Sequence, residues 1–136
     1  MSISPNQPCP CKSGKKYKKC CRVYHDGQPA KTAVNLMRSR YSAYAVGEVD
    51  YIMKTTHPAS PHRLRDADRW RKEIARFCGQ TTFEDLTIHE DSESEMEAHV
   101  RFTATLTQGD QDATFTEDSR FLMLDGQWRY LSAIVN

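Results

Sequence analysis

The fold is decided by the segment MEAHVRFTATL, residues 96–106, in which apolar and polar side chains alternate. Successive side chains of a strand point to opposite faces, so this segment predicts a long strand with one buried face. Shorter runs of apolar and β-branched residues around it predict three further strands, at residues 81–89, 113–124 and 128–135. The acidic run 90–94 predicts the tip of the first hairpin, and Asp125-Gly126 is a strong hairpin signal before the last strand. The second half of the chain therefore predicts an antiparallel meander of four strands.

The residues before this meander have helical periodicity instead. Apolar residues recur every three or four positions, which predicts three helices, at residues 32–46, 48–55 and 66–78. Gly79 is the predicted end of the third helix. Three helices followed by antiparallel strands predict an α+β fold, with the helices packed on one face of a curved four-stranded sheet. Long strands that curl around helices can enclose a conical pocket.

Length and composition set the broad class. The chain has 136 residues, 38% hydrophobic and 27% charged, which predicts one ordinary core and a small appendage. No run of about 18 apolar residues occurs, which excludes a membrane-spanning helix. The first residues have neither the basic nor the apolar region of a secretory signal, so we expect a cytoplasmic protein.

The charges are distributed unevenly. Residues 1–31 contain seven lysines and arginines against one acidic residue, which gives a net charge of +6. The remaining residues contain 12 basic and 17 acidic side chains, which gives −5. A basic head on an acidic body predicts that the head contacts something anionic.

The basic head contains a cysteine cluster. Four of the five cysteines lie within thirteen residues: Cys9, Cys11, Cys20 and Cys21. In a cytoplasmic chain, a C-x-C pair followed by an adjacent pair indicates a metal site before it indicates disulfides. Four thiolates suit Zn²⁺, although iron accepts the same ligands. Because four ligands fill the coordination shell, we expect a structural metal site. Cys78 lies apart from the cluster and is predicted to be a small buried hydrophobic residue, and His25 is a spare candidate ligand.

The segment CPCKSGKKYKKCC, residues 9–21, resembles the SEC-C motif, the metal-binding tail of the SecA translocation ATPase. Cys21 matches the position of the usual last histidine ligand, and Arg22 stands where the motif usually continues with glycine. The SecA tail binds the export chaperone SecB and can meet anionic lipid and the ribosome. The resemblance therefore implies a SecB-like chaperone or the ribosome as candidate partners.

Further segments along the chain resemble the YchJ family of bacterial proteins: MRSRYSAY (37–44), DYI (50–52), TTHP (55–58), EDSRF (117–121) and WRY (128–130). Members of that family join an SEC-C motif to a nuclear-transport-factor-2-like domain, a fold that also hosts ketosteroid isomerases and dehydratases. The resemblance implies a metal knuckle over residues 1–28 and a conical α+β domain over 29–136. We expect the knuckle to be loosely tethered, so that removal of the metal leaves the core of the body folded.

Polar and aromatic residues of the body are candidates for lining the conical pocket: Tyr41, Tyr44, His57, Trp70, Glu117, Ser119, Trp128 and Tyr130. An acid, a histidine and a tyrosine in one cavity can abstract and return a proton, so an isomerase- or dehydratase-like enzyme is one hypothesis. Tyrosine and tryptophan on such faces are more often core residues with a polar tip. Arg40 or Arg120 is a candidate ion-pair partner of Glu117. We therefore expect a ligand pocket or a packed core before a catalytic site.

Three functional hypotheses remain open. The first is a non-enzymatic accessory protein that docks through the knuckle, with Lys15, Lys16, Lys18 and Lys19 as docking residues. The second is a small-molecule-binding protein or enzyme that uses the pocket. The third is a nucleic-acid-binding protein, since the aromatic Tyr17 lies among the four lysines. Anionic lipid is a further candidate partner of the lysines. The body is a candidate for homodimerisation.

Overall fold

The computed structural model describes residues 3–135, with only the backbone of residue 135. The cysteine module comes first and contains a 3₁₀ turn, Tyr17–Lys19, and a short helix α1, Cys21–His25. Three body helices follow: α2 (Ala33–Val46), α3 (Val49–Lys54) and α4 (Ala67–Gln80). The sheet then contains β1 (Thr82–Glu93), β2 (Glu97–Gln108), β3 (Gln111–Asp112), β4 (Phe115–Leu124) and β5 (Gln127–Val135).

The strands form one antiparallel sheet in the order β1-β2-β4-β5, with the two-residue β3 paired to β2. This confirms the predicted α+β fold, with the three body helices preceding the sheet. The central β2 buries Ala98, Val100, Phe102, Ala104 and Leu106, the apolar positions of the alternating segment. Register shifts interrupt β1 at two places and the β4–β5 pair at one. Such irregularities bend and twist strands, which suits a sheet that curves around helices.

Strand β1 is longer than the sequence indicates. Residues 90–93 were the predicted hairpin tip, but they belong to the strand and pair with residues 98–101 of β2. The tip is instead the short segment 94–96, where Met96 is 62% exposed. Because β1 is an edge strand, its acidic side chains remain in solvent while its backbone completes the ladder. Charge alone therefore gave the wrong end for this strand.

The helix ends follow local capping. The Thr32 hydroxyl accepts a hydrogen bond from Asn35 N at the start of α2, and an Asp66 carboxylate oxygen accepts from two backbone amides at the start of α4. Helix α4 continues through Gly79 to Gln80, two residues beyond the predicted last residue, Cys78, because Gly79 has an ordinary helical backbone and strand β1 follows almost at once. None of the helices that the structure describes is long and apolar enough to cross a membrane.

Helix α2 is the centre of the molecule. It buries apolar residues such as Leu36 and Met37, but also the polar side chains of Ser39, Arg40 and Ser42. A helix buried on one side only would leave these polar positions in solvent. The body cavity lies on one side of α2 and the cysteine module packs against another, so α2 separates the two regions that carry candidate chemistry.

Candidate metal centre and body cavity

The structure brings the four clustered cysteines together. Their Sγ atoms all lie within 4.8 Å of one another. Three of the four residues are buried, and Cys20 is half-buried. Tetrahedral Zn–S bonds of about 2.3 Å separate the sulfurs by about 3.8 Å, and the Cys11 and Cys20 sulfurs lie 3.6 Å apart. The donor set and its spacing therefore fit a metal ion, and these four cysteines could hold one.

Local backbone geometry creates the cluster. The Cys9 amide donates to the Lys15 carbonyl at 2.8 Å, which closes the loop that carries the first cysteine pair. Gly14, at the turn of that loop, has a φ of +88°, a conformation that glycine adopts without strain. The 3₁₀ turn then leads directly into α1, whose first residue is Cys21. Arg22 lies inside this helix, so the chain leaves the module as a helix and does not need the glycine that the motif usually has there.

Hydrogen bonds between the thiols shift their pKa values, and a bound metal ion would have to displace the protons that the thiols still hold. Hydrogen bonds from the Cys21 and Cys9 thiols lower the pKa of Cys11 far below its usual range. The hydrogen bond to Cys11 raises the pKa of Cys21, and burial raises the pKa of Cys20 to about 11. The hydrogen bonds between the sulfurs thus favour the thiolate form at Cys11 and the thiol form at Cys21. A cation bound by all four sulfurs would displace the remaining protons, so its affinity should increase with pH.

The module is attached to α2 by polar contacts, contrary to the expected loose tether. The Cys9 Sγ lies 3.4 Å from the hydroxyl of Ser42, and Arg38 donates to the Cys11 carbonyl at 2.8 Å. Ser42 is fully buried, so its contact with the sulfur forms in the core of the protein. The body therefore supplies groups around the sulfur cluster, although the ligands themselves all come from the module.

His25 completes the attachment and does not join the sulfur cluster. Its Nε2 lies 2.8 Å from the Ser39 carbonyl, which can only accept, so Nε2 carries the proton. Nδ1 then accepts from the Tyr17 hydroxyl at 2.7 Å, and the ring packs on Tyr51 with centroids 4.8 Å apart. Burial lowers the pKa of His25, which favours the neutral form that these bonds require. The predicted spare ligand is thus a half-buried connection between the module and the body.

A cavity of about 370 Å³ lies between the body helices and the sheet. Six of the eight predicted pocket residues line it: Tyr41, Tyr44, Trp70, Glu117, Ser119 and Tyr130. The other two do not. The His57 ring accepts from the Ala59 amide in a local turn, and Trp128 is buried beyond the lining, nearer the 125–126 turn. The exposed residues His62 and Glu73 also line the cavity, so it opens to solvent beside them.

Glu117 is the acidic group of the cavity. Its Oε2 accepts from the Ser119 hydroxyl at 2.6 Å, and burial raises the pKa of its carboxyl. Neither predicted ion-pair partner contacts it. Arg120 pairs with Glu97 at 2.7 Å on the outer face of the sheet, because neighbours along β4 point to opposite faces. Arg40 enters the cavity from α2 but directs one nitrogen to groups at the end of α3.

Arg40 is the cavity residue that sequence reasoning missed as a site residue. It is 8% exposed, its guanidinium lies over the Tyr130 ring at 4.6 Å, and it lines the cavity. The signal that could have found it is its place on α2, three residues after Met37 and one before Tyr41, within the predicted buried face. An arginine at such a position is buried only when the fold supplies partners for its charge.

The four predicted docking lysines lie on the surface of the module. Lys15, Lys16, Lys18 and Lys19 are exposed, as is Lys12. Among the residues that the structure describes, no ion pair includes any of these five lysines. Tyr17, in contrast, is only 6% exposed and its hydroxyl is bound to His25. The aromatic ring within the lysine run is thus unavailable to stack on a partner.

Comparison with known proteins identifies both parts of the chain. The family model described as the YchJ middle NTF2-like domain matches residues 32–133, and that of the SEC-C motif matches residues 6–22. A UPF0225 protein of Deinococcus radiodurans is 39% identical over 95% of this chain and 90% of its own length.

Two solved structures are also similar. An SEC-C motif containing protein from Rhodopseudomonas palustris is 28% identical, with a TM-score of 0.79 over 96% of this chain and 99% of that one. One from Psychrobacter arcticus is 29% identical, with a TM-score of 0.80 over 97% of this chain and 84% of that one.

Proposed function

The chain belongs to the YchJ family, in which an SEC-C motif precedes an NTF2-like domain, and from this premise we propose that it is a zinc-binding accessory protein without catalytic activity at the metal. Its cysteine module docks on an acidic surface of a macromolecular partner in protein biogenesis or export. The observation that carries the proposal is a closed four-sulfur cluster surrounded by five exposed lysines that no described carboxylate pairs with.

The four sulfurs support a structural ion. Four protein ligands complete the tetrahedral shell of Zn²⁺ and leave no position for a substrate, as in structural zinc sites generally. The alternative metal is iron, which accepts the same thiolates. In either case reduced thiols are needed, and a reducing compartment such as the cytoplasm supplies them. Elemental analysis of protein purified without added metal should find about one zinc per chain, and Cys11→Ser with Cys20→Ser should remove it.

The lysines support a protein partner over a nucleic acid. Single-stranded nucleic acids are bound by cationic grooves in which aromatic rings stack on the bases. Tyr17 cannot serve in this way while it is buried against His25. The lysines then act as a compact cationic patch, and the resemblance to the SecA tail suggests a SecB-like chaperone or the ribosome as the bearer of the acidic surface.

The test compares two variants with equal charge changes. The docking variant replaces Lys15, Lys16, Lys18 and Lys19 with glutamine, which keeps every sulfur ligand. The control variant replaces four exposed cations outside the module with glutamine: Arg65, Lys72, Arg76 and Arg101. Binding to purified SecB and to ribosomes is measured with intact, zinc-loaded protein at about 50 mM and about 150 mM salt, between which screening becomes much stronger.

We expect the intact chain and the control variant to bind one of these partners, more tightly at the lower salt. The docking variant should bind that partner about tenfold more weakly or worse, because four charge contacts are lost. Equal binding by the docking variant would move the contact surface away from the module. Binding to a single-stranded RNA oligonucleotide, measured in the same way, with no affinity for SecB or the ribosome would favour the nucleic-acid hypothesis instead.

A further inference from the structure

The body cavity contains a buried cation whose charge is only partly compensated. Arg40 Nη1 donates to the Ile52 carbonyl at 3.1 Å and to the hydroxyls of Thr55 and Thr56 at 2.7 and 3.2 Å. These groups lie at the end of α3, where carbonyls carry partial negative charge. The contacts use one of the three guanidinium nitrogens. They position the group firmly, but they supply no full negative charge.

Tyr44 lies beside the Arg40 guanidinium: burial raises the pKa of Tyr44, and a hydrogen bond from Arg40 opposes that rise. No ion pair of the described residues includes Arg40. Among the described residues, two buried side-chain atoms have no hydrogen-bond partner, Asp118 Oδ1 and Arg129 Nε. Nε and Nη2 of Arg40 are therefore not buried without a partner. Arg40 lines the cavity, so a molecule bound there lies beside its guanidinium. A buried cation without an ion-pair partner favours an anion at that position.

The rest of the cavity is suited to an apolar group. Its walls are mainly aromatic and aliphatic, with Trp70, Phe77, Phe102 and Phe121 among the lining residues. A volume of about 370 Å³ lies at the small end of the range for ligand pockets, about 300–1,000 Å³. The accessible end lies beside His62 and Glu73, so a small molecule can enter without opening the fold.

We propose that this cavity binds a small amphipathic carboxylate, whose two oxygens accept hydrogen bonds from the Arg40 guanidinium and whose apolar part packs among the aromatic walls. The planar fork of arginine matches a carboxylate, and a single cation suits one negative charge better than the multiple charge of a phosphate. Glu117 forms no ion pair with Arg40 among the described residues, one of its oxygens accepts a hydrogen bond from Ser119, and burial raises the pKa of its carboxyl.

The test uses matched pairs of probes that differ only in charge: benzoate with benzamide, hydrocinnamate with hydrocinnamamide, and octanoate with octanamide. Binding to zinc-loaded, full-length protein is measured by calorimetry, and the site is located from amide shifts in nuclear magnetic resonance spectra. For at least one pair, the carboxylate should bind about tenfold more tightly than the amide, the effect of hydrogen bonds to a charged group.

Three variants separate the site from the fold. Arg40→Met should remove the preference for the carboxylate, and Arg40→Lys should reduce it because the fork is lost. Ala104→Phe leaves Arg40 in place but fills the cavity that Ala104 lines, so it should abolish binding of both members of the pair. This variant keeps the test decisive if the Arg40 variants do not fold. Equal affinity for acid and amide, binding unaffected by Ala104→Phe, or no binding by any probe would each overturn the proposal.

Discussion

At the residue scale, His25 connects the cysteine module to the body through two hydrogen bonds. Replacing it with leucine leaves the buried Tyr17 hydroxyl without its acceptor and removes the donor to the Ser39 carbonyl. An unsatisfied buried polar group costs about 1–3 kcal/mol, so we expect His25→Leu to lower the free energy of unfolding by that amount. Urea denaturation of zinc-loaded protein measures it. His57→Leu is the matched control, with an expected change within about 0.5 kcal/mol; equal effects from the two variants would contradict the assigned role.

Glu117 predicts a dependence of stability on pH. Burial raises its pKa above the ordinary 4.5, against the opposing effects of Ser119, His62 and Arg40. The folded protein therefore holds a proton that the unfolded chain has released, and this contribution to stability is lost as the pH rises through the folded pKa. Glutamine carries no charge at any pH. The unfolding free energy of Glu117→Gln should thus rise relative to the wild type from pH 4.5 towards neutrality.

The same measurement on Glu95→Gln provides the control, because Glu95 is exposed and has no buried charge to relieve. Urea unfolding at a series of pH values compares both variants with the wild type, which cancels the effect of acid on the metal. A difference for Glu117→Gln that stays flat with pH would mean that the cavity hydrates this carboxylate as well as bulk water does.

The residues of the two sites differ in how far they can be predicted. The four cysteines lie within thirteen residues, so their spacing alone indicates a cluster. His25 and Arg40 depend on hydrogen-bond partners between 8 and 16 residues away, on other elements. No periodic pattern predicts such contacts, because they arise only when α2 packs between the module and α3. The sequence therefore predicted the sulfur cluster. It did not predict that His25 connects the cluster to the body, nor that the Arg40 cation lines the cavity.

At the scale of elements, the β4–β5 hairpin depends on its two-residue turn. Asp125 and Gly126 have φ values of +51° and +77°, as the Asp-Gly signal predicts. Alanine at position 126 would meet no atom within 4 Å, so its cost is backbone strain alone, about 1 kcal/mol. Thermal unfolding of Gly126→Ala should show this loss.

Gly79→Ala is the opposite case, because Gly79 lies in helix α4 and an added Cβ would also meet no atom within 4 Å. Alanine has the higher helix propensity, so this substitution should stabilise the protein by up to about 1 kcal/mol.

The elements themselves were largely predictable, and their ends were not. Period-two and helical patterns identify the long strands and body helices, because apolar residues recur at strand or helix spacing in each of them, although α2 is buried on more than one side. Strand β1 extends past His89, and α4 past Gly79, because their ends are set by pairing with β2 and by the short connection between them. The short β3 and α1 have too few residues to produce a pattern.

At the scale of the whole molecule, α2 forms a wall of both candidate sites. Arg38, Ser39 and Ser42 contact the cysteine module, whereas Arg40 and Tyr41 line the cavity. The polar residues that make α2 unusual for a helix at the centre of a fold are thus divided between two candidate sites. A change in how the module packs on one face shifts the positions available to side chains on the other, because packed cores transmit small displacements.

We therefore expect zinc and the cavity ligand to affect each other's binding. Removing the proposed zinc with a chelator should loosen the contacts of Cys9 with Ser42 and of the Cys11 carbonyl with Arg38. Because Arg40 lies on the same helix, its guanidinium should shift with these residues, and the dissociation constant for hydrocinnamate should increase about fivefold. Linkage requires that hydrocinnamate increase the zinc affinity by the same factor, which a competition titration with a chromophoric chelator measures.

The variant Arg38→Gln separates this coupling from loss of either site. It removes a contact between the module and α2 but no sulfur ligand and no residue of the cavity lining. We expect it to reduce the effect of zinc on hydrocinnamate affinity, while Arg76→Gln, an exposed arginine on α4, leaves that effect unchanged. Equal hydrocinnamate affinities in zinc-loaded and stripped protein, with the stripped protein still folded, would contradict the coupling. Helix α2 would then hold its cavity face without the metal, and the two sites would act independently.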